Sequence, residues 1–178
     1  MIGSSVERQP SLRHRLEYGL LRAAAAILAR APEWVGAGIA WLLGWIAGSL
    51  LRIRRGTVER NLSTAFPDRS VRWRKRVARA AYRHFAREAV SLLRIEAMDR
   101  REIASRVQLE GSEALQRALE SGTGAILLAG HFGNWEIAGM GFAARGLPID
   151  AVVRRQSNPL FDAYMRNARA RAGMGVLY

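Results

Sequence analysis

Between Trp34 and Leu51 the chain carries eighteen consecutive residues without a charge, WVGAGIAWLLGWIAGSLL. Such a run must leave water, either into a protein core or into lipid. A bilayer span asks for ~20 apolar residues with a lower limit near ~17, so this one stands at the short end. Trp34, Trp41 and Trp45 give it interfacial character. Gly36, Gly38, Gly44 and Gly48 weaken it as an isolated helix. A buried core helix, a span and a helix lying in the interface plane remain open, and we expect membrane association with the interfacial anchor ahead of the span.

The flanks support that expectation. Leu12 to Arg30 reads as an amphipathic helix stopped by Pro32, with Arg13, Arg15, Arg22 and Arg30 around an Ala/Leu body. Arg52, Arg54, Arg55 and Arg60 form a basic cluster suited to anionic lipid head groups. Arginines at both ends of the apolar run leave its orientation open. Residues 1–11 are expected to be disordered and carry no secretory cleavage pattern. The chain thus divides into a disordered start, an anchor over 12–55, and a second region over 56–178.

The formal net charge is +13, and Lys75 is the single lysine, so arginine supplies nearly all of it. Arginine's planar fork suits phosphates and carboxylates. No nucleic-acid motif accompanies the charge, and the basic residues interleave with Ala, Leu and Trp, so a membrane surface or acidic partners are the better reading. Salt-sensitive binding to DNA is the rival that charge alone would support. The absence of cysteine excludes disulfides and thiol nucleophiles. The histidines (His14, His84, His131) are scattered, so no metal cluster is expected.

From Asp68 or Ser70 a long helix is expected to reach about Ile95, with Val71, Val77, Ala81, Phe85, Ala89 and Leu92 on one face. Its other face carries Arg72, Arg74, Lys75, Arg76, Arg79, Arg83 and Arg87, either solvated or a docking strip for anionic lipid or an acidic protein. A short helix over Asp99 to Arg106, a strand over Val107 to Leu109 and a helix over Ser112 to Glu120 follow. Ala125 to Ala129 is an apolar run framed by Gly124 and Gly130 and reads as a buried strand. Ile137 to Ala144 is the next helix, with Asn134 as its N-cap. Ile149 to Val153 is a second strand ending at Arg154 and Arg155, on the edge expected for His131. Asn158 and Pro159 open a helix that Gly173 closes, and Val176 to Tyr178 begins another strand. This alternation implies an α/β fold with a parallel or mixed sheet flanked by helices. Stopping at the start of a core strand, the chain is expected to be part of a longer one.

His131 stands at the carboxyl end of the apolar run, in a loop that opens a helix, where ligands collect in open α/β sheets. A neutral imidazole, with an ordinary pKa near ~6.5, can accept a proton at cellular pH. A tight bend at Gly133 and Asn134 can bring Glu136, five residues on, to one ring nitrogen and stabilise the imidazolium. The backbone N–H groups of Gly133 and Asn134 at the helix start are candidates to stabilise an oxyanion. A structural histidine is the alternative on spacing alone.

HFGNWE after an apolar, small-residue strand resembles the Hxxxx(D/E) motif of glycerolipid acyltransferases, and most of all their bacterial lipid A branch. Arg60-Asn61-Leu62, Phe66-Pro67, Arg87-Glu88, Gly111-Ser112-Glu113, Ala118-Leu119, Val153-Arg154-Arg155, Asn158 to Asp162 and Arg169 to Gly173 extend the likeness over residues 15–178. The resemblance implies a membrane-seated O-acyltransferase on the cytoplasmic face of a bacterial inner membrane, with residues 56–178 the amino-terminal part of its acyltransferase domain. His131 would be the base and Glu136 its support. The acyl donor would be carried on the phosphopantetheine arm of acyl carrier protein, with no metal or bound cofactor. Arg154 and Arg155 would hold a phosphate of an anionic glycolipid acceptor or of that arm, while Asn158 and Asp162 are assigned to structure. A phosphatidylinositol mannoside or a lysophospholipid is the rival acceptor, and a non-catalytic membrane-binding module the rival class.

Overall fold

The computed structural model describes residues 9–178, so the disorder expected at the start of the chain falls largely outside the described residues. Two compact units emerge: residues 22–96, and residues 97–178 together with the chain up to Leu21. The divisions fall at 21/22 and 96/97.

Residues 22–96 are helical. The first helix, α1 (Leu12–Arg30), buries Ala25 and Leu28. After Pro32 comes α2 (Glu33–Trp45), which continues as a π-helical turn over Ile46–Leu50. Then follow α3 (Arg55–Ala65) and α4 (Val71–Arg94), the latter capped by Ser70, whose hydroxyl accepts from the Trp73 N–H. The glycines of the apolar run have a packing purpose. Gly36, Ala40 and Gly44, four residues apart, are buried against α4. A Cβ on Gly44 would lie 2.6 Å from the Arg83 Cα, and one on Gly48 would lie 2.5 Å from the Tyr82 ring. Small residues thus let the two backbones approach, and Leu28, Ala40 and Val90 close the core with Ile39 and Leu93. Glu96 pairs with Arg22, and the Tyr82 hydroxyl donates to the Ile53 carbonyl.

This packing rotates α4 away from the expected face. Ala86 and Val90 are buried, while Val71, Ala81, Phe85 and Ala89 are exposed. Periodicity marked a stripe, but the stripe of α2 that fits it selects Tyr82, Arg83, Ala86 and Val90 instead. Among the described residues no single helix is long and apolar enough to cross a membrane. Glu33–Leu50 and Arg55–Ala65 reach that length and composition only together, bent by 90°. Trp34, Trp41 and Trp45 all face outward.

The other unit contains α5 (Arg100–Ser105, capped by Asp99), α6 (Glu113–Glu120) and α7 (Trp135–Ala144). It ends with β1 (Asp150–Val152), α8 (Pro159–Ala172) and β2 (Gly175–Leu177). The strands pair in parallel, Ala151 beside Val176, with α8 as the crossover. Gly173 ends α8 at φ 91°, a left-handed conformation that suits glycine. Met140 and Ala143 of α7 and Met165, Ala168 and Ala172 of α8 are buried, and Arg100 donates to the Ala143 carbonyl at 3.0 Å.

Two expected strands are absent among the described residues: Val107 to Leu109 and Ala125 to Ala129 have no regular structure. Ile126 is 98 % exposed and Leu128 100 %. Composition can nominate a strand, but a strand forms only against a hydrogen-bonding neighbour, and the sheet holds β1 and β2 alone. The fold is therefore mostly helical with a small parallel sheet, compatible with the α/β class.

Candidate active site

The site is built on the amino terminus of α7. Gly133 takes φ 66°, a left-handed turn that reverses the chain before the helix. Asn134 then caps α7, its Oδ1 accepting from the Ile137 N–H at 3.0 Å. The other end of that amide, Nδ2, is buried and has no hydrogen-bond partner among the described residues. Glu136 lies in the first helical turn, where a carboxylate is favoured by the helix dipole.

His131 lies in the irregular stretch before the cap and is exposed. Its ring packs against Trp135, with centroids 4.5 Å apart and planes tilted by 51°. The imidazole therefore sits over the first residue of α7, reachable from solvent. Among the described residues no hydrogen bond joins it to Glu136.

Glu136 instead meets Arg169 of α8. The guanidinium donates through Nε to Oε2 at 2.8 Å and through Nη2 to Oε1 at 2.5 Å. The two side chains are only 9 % and 13 % exposed, Arg169 first. Such a two-armed pair is geometrically specific. It fixes the acid at the base of the loop that carries His131.

Arg154 and Arg155 follow β1 and are exposed. With no strand at 125–129, they do not share a sheet edge with His131, contrary to the expectation from the sequence. Arg155 stacks on the Tyr178 ring at 4.0 Å. The Tyr178 hydroxyl donates to Asp162 at 2.7 Å, and the other Asp162 oxygen accepts from the Gln156 N–H at 2.8 Å. Burial first, then the bond to Asp162, raises the Tyr178 pKa. Asp162 thus orders the loop that follows β1. Asn158 is structural: it caps α8, and its Nδ2 donates to the His14 carbonyl and the Glu17 carboxylate.

Arg169 and Trp135 are the site neighbours to which the motif reading gave no role, although both lie in stretches that carry the resemblance. Arg169 had a signal, since it falls on the face of α8 marked by Met165, Ala168 and Ala172. A cation on the apolar side of a helix implies a buried acid partner.

A sequence model of the bacterial lipid A biosynthesis acyltransferases matches residues 6–178. The chain belongs to that family. It is 27 % identical over 169 residues to a lipid A biosynthesis myristoyltransferase of Escherichia coli K12, covering 94 % of this chain and 52 % of that protein. Lipid A biosynthesis acyltransferase 1 of Shigella flexneri gives the same identity and coverage. A phosphatidylinositol mannoside acyltransferase of Mycolicibacterium smegmatis is 32 % identical over 80 residues, 45 % of this chain and 25 % of that protein. The chain therefore spans about half the length of the first two relatives. No solved structure matches it significantly.

Proposed function

We propose that the intact protein transfers a fatty acyl chain from the thioester of acyl carrier protein to a hydroxyl of an anionic glycolipid, most simply a lipid A precursor, at the cytoplasmic face of a bacterial inner membrane. Family membership over residues 6–178, with a solvent-facing histidine in the stretch that leads into α7, is the observation that carries this reading. His131 takes the proton of the acceptor hydroxyl as its oxygen attacks the thioester carbonyl. The tetrahedral intermediate collapses, the carbon–sulfur bond breaks, and the thiolate recovers the proton from the imidazolium. General-base help of this kind supplies ~10²–10⁴-fold in rate.

Glu136 supports the imidazolium. Its two bonds to Arg169 leave each carboxylate oxygen a further lone pair. This role asks the irregular stretch before Asn134 to bring the imidazole from Trp135 to Glu136. The buried Asn134 Nδ2 and the Gly133 and Asn134 N–H groups offer donors to the oxyanion. Arg154 and Arg155 bind a phosphate of the acceptor or of the carrier's arm. The chemistry asks for no metal and no bound cofactor. A phosphatidylinositol mannoside is the second acceptor to consider, on the strength of the mycobacterial relative.

The test is His131→Ala in the intact protein, with lipid extracts from cells with and without it compared by mass spectrometry. Loss of one acyl chain from a glycolipid, with normal protein levels, is expected, and the lipid that loses it names the acceptor. Unchanged acylation would remove His131 from the mechanism.

A further inference from the structure

The α3 and α4 helices enclose a cleft of about 870 Å³ together with the turn that follows α2. Its lining includes Arg52, Arg55, Arg60, Arg74, Lys75 and Arg79. Glu59 is the one acid among the lining residues, and it is held by Arg55 at 2.7 Å. That hydrogen bond, opposed by desolvation and helped by the charges of Arg55 and Lys75, lowers the Glu59 pKa, so the carboxylate stays charged and is held first by Arg55. Lys75 thus shares Glu59, whereas Arg52, Arg60 and Arg79 have no further carboxylate within the lining to answer them. Clustering like charges around a concavity is costly unless an anion enters it.

The backbone at the mouth is unusual. Arg52 and Arg54 take φ of 51° and 50°, left-handed values that non-glycine residues adopt at a cost of ~1–2 kcal/mol each. These residues make the elbow at which the chain turns by 90° between the apolar helix and α3. Leu50, Leu51 and Ile53 are exposed at the same elbow. Side chains of opposite character are thus interleaved: aliphatic groups beside an arginine-lined recess. An acidic protein would complement the charge but give the exposed aliphatic residues nothing to enter. A phospholipid at a bilayer surface complements both.

We propose that this cleft binds the phosphate of an anionic phospholipid within the bilayer, with Leu50, Leu51 and Ile53 entering the adjacent acyl region. The inference deepens the membrane part of the proposed function and is independent of the chemistry at His131. It says where the enzyme grips the bilayer: at an elbow with a stereochemically defined recess, and not through diffuse charge over α4.

The experiment is sedimentation of the intact protein with vesicles of phosphatidylcholine alone or mixed equally with phosphatidylglycerol. A cleft variant (Arg52→Gln, Lys75→Gln, Arg79→Gln) is compared with a control that removes the same charge from exposed α4 positions outside the lining (Arg72→Gln, Arg76→Gln, Arg87→Gln). At about fivefold per basic residue near an anionic surface, the cleft variant should bind phosphatidylglycerol vesicles more than tenfold more weakly, and the control should stay within about threefold of the parent. Should the triple variant lose its helical circular dichroism, Arg52→Gln and Arg79→Gln singly carry the comparison, each with about a fivefold loss. Equal losses in the two sets, or parent-like binding by the cleft variant, would overturn the proposal. So would a cleft that is thermally stabilised by inorganic phosphate at matched ionic strength while its loss leaves vesicle binding unchanged. His131→Ala should bind vesicles as the parent does, so a failed acyl-transfer reading and a failed lipid site give different results.

Discussion

Arg169 closes on Glu136 with both arms of its guanidinium, bridging α8 and α7 immediately behind the loop that carries His131. Taking two charges out of water is costly, and their mutual attraction only repays that cost when the geometry is good. The consequence is asymmetric: the intact pair contributes little net stability, whereas a lone survivor is a buried, unanswered charge.

Arg169→Ala should therefore destabilise the protein by about 3–5 kcal/mol, and Arg169→Met with Glu136→Leu by clearly less. Arg169→Lys supplies the charge without the fork, so it should keep most of the stability. If the pair positions the acid for His131, Arg169→Lys should lower kcat while KM is maintained. Thermal unfolding by circular dichroism and acyl-transfer kinetics on the intact protein check the two effects separately. A normal kcat for Arg169→Lys would make the bridge purely architectural.

Gly44 lies directly against the backbone of α4 at Tyr82 and Arg83. Gly44→Ala would drive a Cβ to 2.6 Å from the Arg83 Cα, which neither backbone can yield cheaply, and should cost about 1–3 kcal/mol. Gly38→Ala meets nothing within 4 Å on the same helix, so it should stabilise by about 0.5–1 kcal/mol through helix propensity. Urea unfolding of the two variants side by side gives the comparison. Equal effects would mean that the glycines matter for helix propensity and not for packing.

These two sites also mark how far the sequence could be read. Helix ends were legible because local chemistry sets them: Ser70, Asp99, Asn134 and Asn158 each accept from an N–H of the helix they open. The parallel pairing of β1 and β2 followed from the helix between them. What was not legible depended on a partner. Ala125 to Ala129 has the composition of a strand and no neighbour to pair with, and the buried face of α4 was chosen by the shape of α2. At the site, His131, Glu136 and the Asn134 cap were nominated by spacing. Arg169 lies 33 residues from the acid it binds, a contact that only packing of α7 on α8 creates.

The Tyr178 hydroxyl gives a pH signature. Its pKa is raised, chiefly by burial and then by its bond to Asp162. The folded state thus holds the phenolic proton more tightly than the unfolded chain. Its contribution to stability is complete below the ordinary tyrosine value near ~10 and is lost as pH rises through the folded value. Tyr178→Phe should therefore lower stability at neutral pH by about 1 kcal/mol through the lost bond to Asp162, and flatten the alkaline limb. Thermal unfolding of parent and variant between neutral pH and pH ~11 tests this, and parallel curves would refute it.

Asn134 separates capping from chemistry. Its Oδ1 caps α7, so Asn134→Ala should cost about 1 kcal/mol of stability. Asn134→Asp preserves the acceptor and places a negative charge at a helix amino terminus, so stability should be kept or slightly increased. The same change removes the buried Nδ2 donor, which has no partner among the described residues. Leaving such a donor unanswered costs about 1–3 kcal/mol, a cost that an oxyanion in the transition state would offset. If Nδ2 serves that purpose, Asn134→Asp should fold normally yet transfer acyl groups about 10²–10³-fold more slowly, with KM little changed. Parallel measurement of unfolding temperature and single-turnover acyl transfer decides it: a fully active Asn134→Asp would confine this residue to holding the helix.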